Sequence, residues 1–283
     1  MNALANATLM KIGLIDFGHG EVRIDLSRPI SLAIDLDFSE RQPRHFGAPE
    51  ATSHPFAVPG FSGSVEHGAS CNCRTLTLIP HCNGTHTECV GHLTREPLDA
   101  HRVAPLGFIP ATLVTVEPVA AGTSGEGTDP TPRPDDQLIT RHALEKSWLA
   151  AMAAGAFEPR ALIIRTLPNP LDKQHQNYSD STPPYLSREA AELLIERGIE
   201  HLVVDLPSID RAHDEGRLTA HRVFFGLPPS STTLAQATRP RATVTELAYI
   251  PDTAPDGPYL LELQVPALGG DAVPSRPLLY RPS

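Results

Sequence analysis

Apolar and polar residues alternate over residues 30–36 and again over residues 73–79. A period of two is the mark of a half-buried strand, so both stretches predict strands. Between them, residues 38–60 are rich in Pro, His and Gly and predict a long irregular excursion, of the kind that often carries function. The second alternating run leads straight into residues 81–92, which places that polar block at a strand end. Residues 111–116 form a β-rich run, and residues 122–136 read as a loop or disordered bulge. Residues 140–154 have helical composition, with Thr140 as N-cap. Residues 161–165 (Ala-Leu-Ile-Ile-Arg) and 201–205 (His-Leu-Val-Val-Asp) are short apolar runs that predict buried strands. The helix predicted over 187–197 lies between them, capped by Ser187 and stopped by Gly198. Strand, helix, strand in this order predicts an α/β unit with parallel pairing. The chain from Thr243 onward is strand-like with Pro and Gly breaks. No internal repeat is visible, and the expectation is one α/β domain over residues 1–283.

Composition narrows the choice of partners. A chain of 283 residues can bury a substantial core. The formal net charge of −10 opposes nonspecific nucleic-acid binding, and no Lys/Arg block overrides it locally. No apolar run reaches the roughly 18 residues a membrane span requires. Residues 1–14 show no secretion signal. The four cysteines, Cys71, Cys73, Cys82 and Cys89, could close only very short loops. Free thiols in a reducing cytoplasm are therefore expected. The 29 prolines favour loops and strand ends over a helical bundle.

The block His81-Cys82-Asn83-Gly84-Thr85-His86-Thr87-Glu88-Cys89-Val90-Gly91-His92 holds three imidazoles and one carboxylate. Neutral imidazole and carboxylate suit a divalent ion such as zinc or manganese. His86 and Glu88, two apart on an extended backbone, point to one face. Asn83-Gly84 is a turn signal that folds His81 back towards them. His92 lies four residues beyond Glu88, as a further ligand or an acid/base. Two other readings compete: a polar strand end with solvated histidines, and a structural site using Cys82 and Cys89. A Cys–His nucleophilic pair lacks any third orienting group. Cys71 and Cys73 read as small buried residues near the site, and residues 175–180 as a solvated polar segment.

This block resembles the cyclase family that includes bacterial kynurenine formamidase and isatin hydrolase, whose signature is H-x-G-T-H-x-D-x-P-x-H. Gly84-Thr85-His86 matches G-T-H, Glu88 stands at the Asp position, and His92 at the final His. His81 lies one residue further upstream than the signature places its first His, and Val90 replaces the Pro. Further similarity runs through Arg165-Thr166, the 185–198 helix, Asp205 to Asp210, His221 and Thr245-Glu246-Leu247, covering roughly residues 25–280. The resemblance implies a swivelling β/β/α fold with a β-rich core. It implies one or two divalent ions, zinc or manganese. His81, His86, Glu88 and Glu246 would hold one, and Glu88, His221 and Glu246 the other. His92 would be the catalytic acid/base, with Asp205 and Asp210 capping turns or orienting ligands. The implied reaction is hydrolysis of a C–N bond in a small amide or cyclic amide, in a homodimer or homotetramer. Water made acidic by a metal, with a pKa falling towards about 7, would supply hydroxide at neutral pH. The alternatives are lactone or ester hydrolysis, a cyclase or dehydratase, and a non-catalytic member that binds a small molecule.

Overall fold

The computed structural model describes residues 11–17, 20–152 and 158–282. Its centre is a nine-stranded mixed sheet. Four strands run parallel: Phe108–Val116, Ala161–Thr166, His201–Val204 and Thr243–Glu246. On one flank His86–Cys89 pairs antiparallel with Thr243–Glu246, and Ala272–Pro274 pairs antiparallel with His86–Cys89. On the other flank Gly257–Gln264, Arg276–Tyr280 and Ile30–Ser31 continue the sheet antiparallel.

The parallel strands are buried on both faces, and their side chains alternate between two cores. Leu162, Ile164, Leu202, Val204 and Val244 pack beneath the helices Arg141–Met152, Arg188–Glu196 and Thr219–Phe225. Ala161, Ile163 and Val203 face the other way, onto Leu32, Ala248, Ile250, Tyr259 and Leu279. Each aliphatic side chain buried in this way contributes on the order of 1.5–3 kcal/mol. Two caps fix helix starts. Thr140 Oγ1 accepts from Ala143 N at 3.1 Å, and Ser187 Oγ accepts from Ala190 N at 2.9 Å. The predicted parallel α/β unit is present, with Ala161–Thr166 beside His201–Val204. The mixed α/β class is as expected.

Several local expectations need correction. Only Ile30–Ser31 of residues 30–36 joins the sheet, followed by a single bridge from Ala33 to Ala248. The chain departs because Ile34 N donates to the Thr85 side chain at 2.9 Å and not to a neighbouring strand. Residues 38–60 are not wholly irregular. Thr52–Pro55 pairs with Arg74–Thr77, and Ala57–Val58 with Phe61–Ser62. Residues 73–79 thus belong to a small ribbon, while the His/Glu block forms a strand of its own in the large sheet. Cys71 and Cys73 are exposed, not buried, and all four cysteines are free thiols. Tyr178 is buried within the segment read as solvated. The helix is described over Arg141–Met152, and residues 153 and 154 of its predicted span lie outside the described residues, as do residues 1–10.

Two buried charged groups are fully matched. Lys173 Nζ donates to Thr166 O, Thr166 Oγ1 and Asp205 Oδ2 at 2.8, 2.9 and 2.8 Å. Asp205 also accepts from Thr166 N and Oγ1. It therefore pins two strand ends together. Arg165 donates to the Pro251 and Ala254 carbonyls, to Thr115 Oγ1 and to Asp256, anchoring the loop before Gly257–Gln264. No helix among the described residues is long and apolar enough to cross a membrane.

His201 sets an acid limit on this fold. Burial lowers its pKa to about 4, so the folded chain keeps the ring neutral. The unfolded chain protonates it near its ordinary 6.5. This contribution is therefore complete above pH 6.5 and is lost as pH falls to about 4. The shift corresponds to roughly 3 kcal/mol. Denaturant titrations from pH 7.5 to 4 should show that loss, and His201→Gln should flatten the acid limb. An unchanged limb would place the acid sensitivity elsewhere.

Candidate metal centre

The block works because of register. His86 lies opposite Glu246 across the antiparallel pair, and Glu88 lies opposite Val244. Val244 faces the helices, so His86, Glu88 and Glu246 project from that same face. Gly84, just before, has φ of 109°, a backbone conformation that a side chain would strain. Thr85 locks the turn by donating to the Leu247 carbonyl at 2.5 Å. Asn83, one residue more than the signature has, is held by Ile79 N and the Pro49 carbonyl. His81 is thereby returned to within 3.0 Å of Glu88, Nδ1 to Oε2. Beyond the strand a short 3-10 turn, Val90–Leu93, carries His92. A Cβ at Gly91 would collide with the Leu98 carbonyl oxygen, so only glycine permits this turn.

His221 comes from the first turn of the Thr219–Phe225 helix. Asp210 receives it: Oδ1 accepts from Ala220 N at 2.7 Å, and Oδ2 from His221 N at 3.0 Å and Nδ1 at 2.7 Å. A carboxylate only accepts, so Nδ1 carries the proton and Nε2 is the free lone pair. His86 is fixed the same way, with Nδ1 donating to the Gly84 carbonyl at 3.0 Å. Such outer partners that fix the tautomer of a ligating imidazole are characteristic of metal sites.

The inner atoms converge without satisfying one another. His221 Nε2 lies 2.7 Å from Glu88 Oε1 and 3.4 Å from Glu246 Oε1. His86 Nε2 lies 3.4 Å from Glu246 Oε2. None of these contacts has hydrogen-bond geometry. His86 Nε2, His221 Nε2 and both Glu88 oxygens are buried polar atoms with no hydrogen-bond partner. Buried polar atoms are seldom left so, because each costs about 1–3 kcal/mol. The ligand atoms of His81, His86 and Glu88 lie within 4.8 Å of one another, as do those of Glu88, His221 and Glu246. These donors fit one or two divalent ions, and Glu88 belongs to both groups.

Charge tells the same story. Burial pushes Glu88 up, but His221, His92 and His81 hold it well below the usual carboxylate range. Burial and Glu88 both push Glu246 up, yet His221 and His86 bring it down to about 2. Burial pushes His221 down, and Glu88, Asp210 and Glu246 raise it well above its ordinary value. Burial also opposes protonation of His81, but Asp271 and Glu88 raise it to about 10. Two buried carboxylates therefore demand positive charge, from imidazolium protons or from a cation. The two thiols within the block offer no rival chemistry, since burial raises Cys82 and takes Cys89 to about 12.

All six site residues read from the sequence come together, and one was missed. Asp271 Oδ2 accepts from His81 Nε2 at 2.8 Å and from His92 Nδ1 at 3.2 Å. It lies 190 residues from His81, and its only signal is a Gly-Gly turn before a strand. The centre opens onto a cavity of about 520 Å³. Phe46, Pro207, Ala212 and Leu218 supply apolar wall, and His81, Glu88, His92, His221 and Glu246 line its reactive side. Arg211 also lines the cavity, held by Asp136 at 2.8 Å and the His213 carbonyl at 2.6 Å.

Residues 24–211 match the family model described as "Putative cyclase". The chain belongs to the cyclase family. Solved structures bear out the cyclase fold across nearly the whole chain. Isatin hydrolase A from Ralstonia solanacearum is 17% identical with a TM-score of 0.56, covering 89% of this chain and 91% of its own. Isatin hydrolase A from Labrenzia aggregata, bound to benzyl benzoate, is 15% identical with a TM-score of 0.57, covering 90% and 94%. A predicted metal-dependent hydrolase from Bacillus stearothermophilus is 14% identical with a TM-score of 0.54, covering 89% and 98%. No curated protein matches the sequence. His81, His86, Glu88 and His92 fall inside the cyclase match, whereas His221, Glu246 and Asp271 fall beyond it and are brought to the site by the fold.

Proposed function

We propose that this cyclase-family chain is a metal-dependent hydrolase that cleaves the C–N bond of a small amide or cyclic amide. The observation that carries the reading is the set of buried, unpaired ligand atoms on His86, Glu88 and His221, directly beside His92 and a largely apolar cavity. His81, His86, Glu88, His221 and Glu246 would hold the ion or ions. When bound, a divalent cation polarises a substrate carbonyl and makes water acidic enough to attack near neutral pH. The isatin hydrolases of similar fold act on a cyclic amide, which favours the C–N bond as the target.

The chain's own residues handle the rest. His92 has one ring nitrogen on Asp271, which leaves Nε2 to exchange a proton with a molecule in the cavity. His92 takes a proton from the attacking water and returns it to the departing nitrogen as the C–N bond breaks. The second proton of the water leaves to solvent, so the amide and one water become a carboxylate, an amine and one released proton, and atoms and charge balance. Phe46, Pro207 and Leu218 exclude water from the substrate ring, and Arg211 presents a fixed cation to any carboxylate formed.

Zinc- and manganese-loaded protein should be offered N-formyl anilines, isatin-type lactams and lactones, with products followed by mass. Gain of one water on an amide substrate, abolished by a chelator, is the expected result. Turnover of lactones alone would move the target to a C–O bond. No turnover of any of these by metal-loaded protein would contradict hydrolysis.

A further inference from the structure

We propose that Asp271 is the positioning residue of the site: a single carboxylate oxygen fixes the tautomers of both His81 and His92. The inference rests on the metal-centre reading for His81 but not on the identity of the substrate.

Asp271 is presented by a rigid frame. Its carbonyl accepts from Cys89 N at 3.0 Å, one residue beyond Glu88. The preceding Gly270 is clamped twice, its N–H donating to Asp99 Oδ1 at 3.0 Å and its carbonyl accepting from Ala100 N at 2.7 Å. The strand that follows, Ala272–Pro274, pairs with the His86–Cys89 strand itself. Asp271 is thus built into the sheet edge alongside the ligands.

From there Oδ2 meets His81 Nε2 and His92 Nδ1, whose rings lie 4.2 Å apart between centroids. A carboxylate oxygen can only accept, so both nitrogens must donate. With a cation in place of the second imidazolium proton, His81 is left with Nδ1 as its lone pair, and that atom is the one facing Glu88 at 3.0 Å. His92 is left with Nε2 as its lone pair, the form in which it can take a proton from water. One oxygen therefore commits His81 to ligation and His92 to base catalysis. Without it, a neutral imidazole divides between two tautomers, and only one is competent. The ligand atoms of His81, His92 and Asp271 also lie within 4.8 Å of one another, so an ion held by these three is the competing arrangement. It would remove His92 from proton transfer.

Nitrogen NMR of zinc-loaded protein labelled at histidine nitrogen separates the two, with the His92 signals assigned by their loss in His92→Gln. The expected result is a protonated Nδ1 and an unprotonated Nε2 on His92 in the native chain. In Asp271→Ala the signals should move to a mixture of tautomers, with zinc per chain unchanged at saturating zinc. The backbone bonds of Asp271 survive this substitution, so folding is retained, and a thermal melt checks it. Should a substrate be in hand, turnover should fall about 10–100-fold in kcat with little change in KM. Native His92 signals already mixed, or unaltered in Asp271→Ala, would overturn the proposal. So would a metal-coordination signature on His92 that disappears together with one zinc in Asp271→Ala. None of these outcomes depends on which bond the protein cleaves.

Discussion

Glu88→Gln is expected to cost the protein its metal. Glu88 is 1% exposed, and its two oxygens face His221 at 2.7 Å and His81 at 3.0 Å. Glutamine keeps the volume and removes the charge. The two imidazoles and any bound cation would then share one buried carboxylate, Glu246, in place of two. Removing one member of a buried charge pair costs about 3–5 kcal/mol. Spread over metal binding, that is a loss of roughly 10²–10⁴-fold in affinity. Zinc titration followed by dialysis should show it directly, with activity falling in parallel. Retention of native affinity in Glu88→Gln would remove this residue from the centre. Glu88→Asp is the informative companion, because the family signature carries Asp there. Aspartate is one methylene shorter, while Asn83 has shifted His81 by one residue. Weaker binding in Glu88→Asp would show that the longer side chain and the extra residue act together.

His92→Ala is expected to separate chemistry from metal binding. His92 is half-buried at the cavity wall, its ring 4.2 Å from that of His81, and its hydrogen bond runs to Asp271 and not to a ligand. Its removal should leave metal content intact. Positioned general acid/base groups contribute about 10²–10⁴-fold, and a loss of that size in kcat is expected. Product analysis and metal content on the same sample distinguish the outcomes. Loss of metal along with activity would make His92 a ligand instead.

Much of this was legible in the sequence for identifiable reasons. The parallel unit of residues 161–205 follows from local signals: short apolar runs, a Ser187 cap and a Gly198 stop. The His86/Glu88 pair was legible because a strand repeats every two residues. His221 and Glu246 came through resemblance, and the fold supplies the physical link. Glu246 is opposite His86 in register, and Asp210 clamps His221 through two hydrogen bonds and its neighbour Ala220 through a third. Asp271 left no such trace. It reaches the site only because Ala272–Pro274 adds to the edge of the His86–Cys89 strand. That pairing is set by topology 180 or more residues away in sequence. The small ribbons within residues 38–77 were legible only in part. Arg74–Thr77 falls inside the strand predicted over 73–79, but Thr52–Pro55, Ala57–Val58 and Phe61–Ser62 are two to four residues long, too short for alternation to register.

The most direct test of the metal centre is the elemental content of the purified protein by plasma mass spectrometry, beside His86→Ala. At least one zinc or manganese per chain, lost in the variant, is the expected result. No divalent metal in the native protein, even after reconstitution with zinc and with manganese, would contradict it.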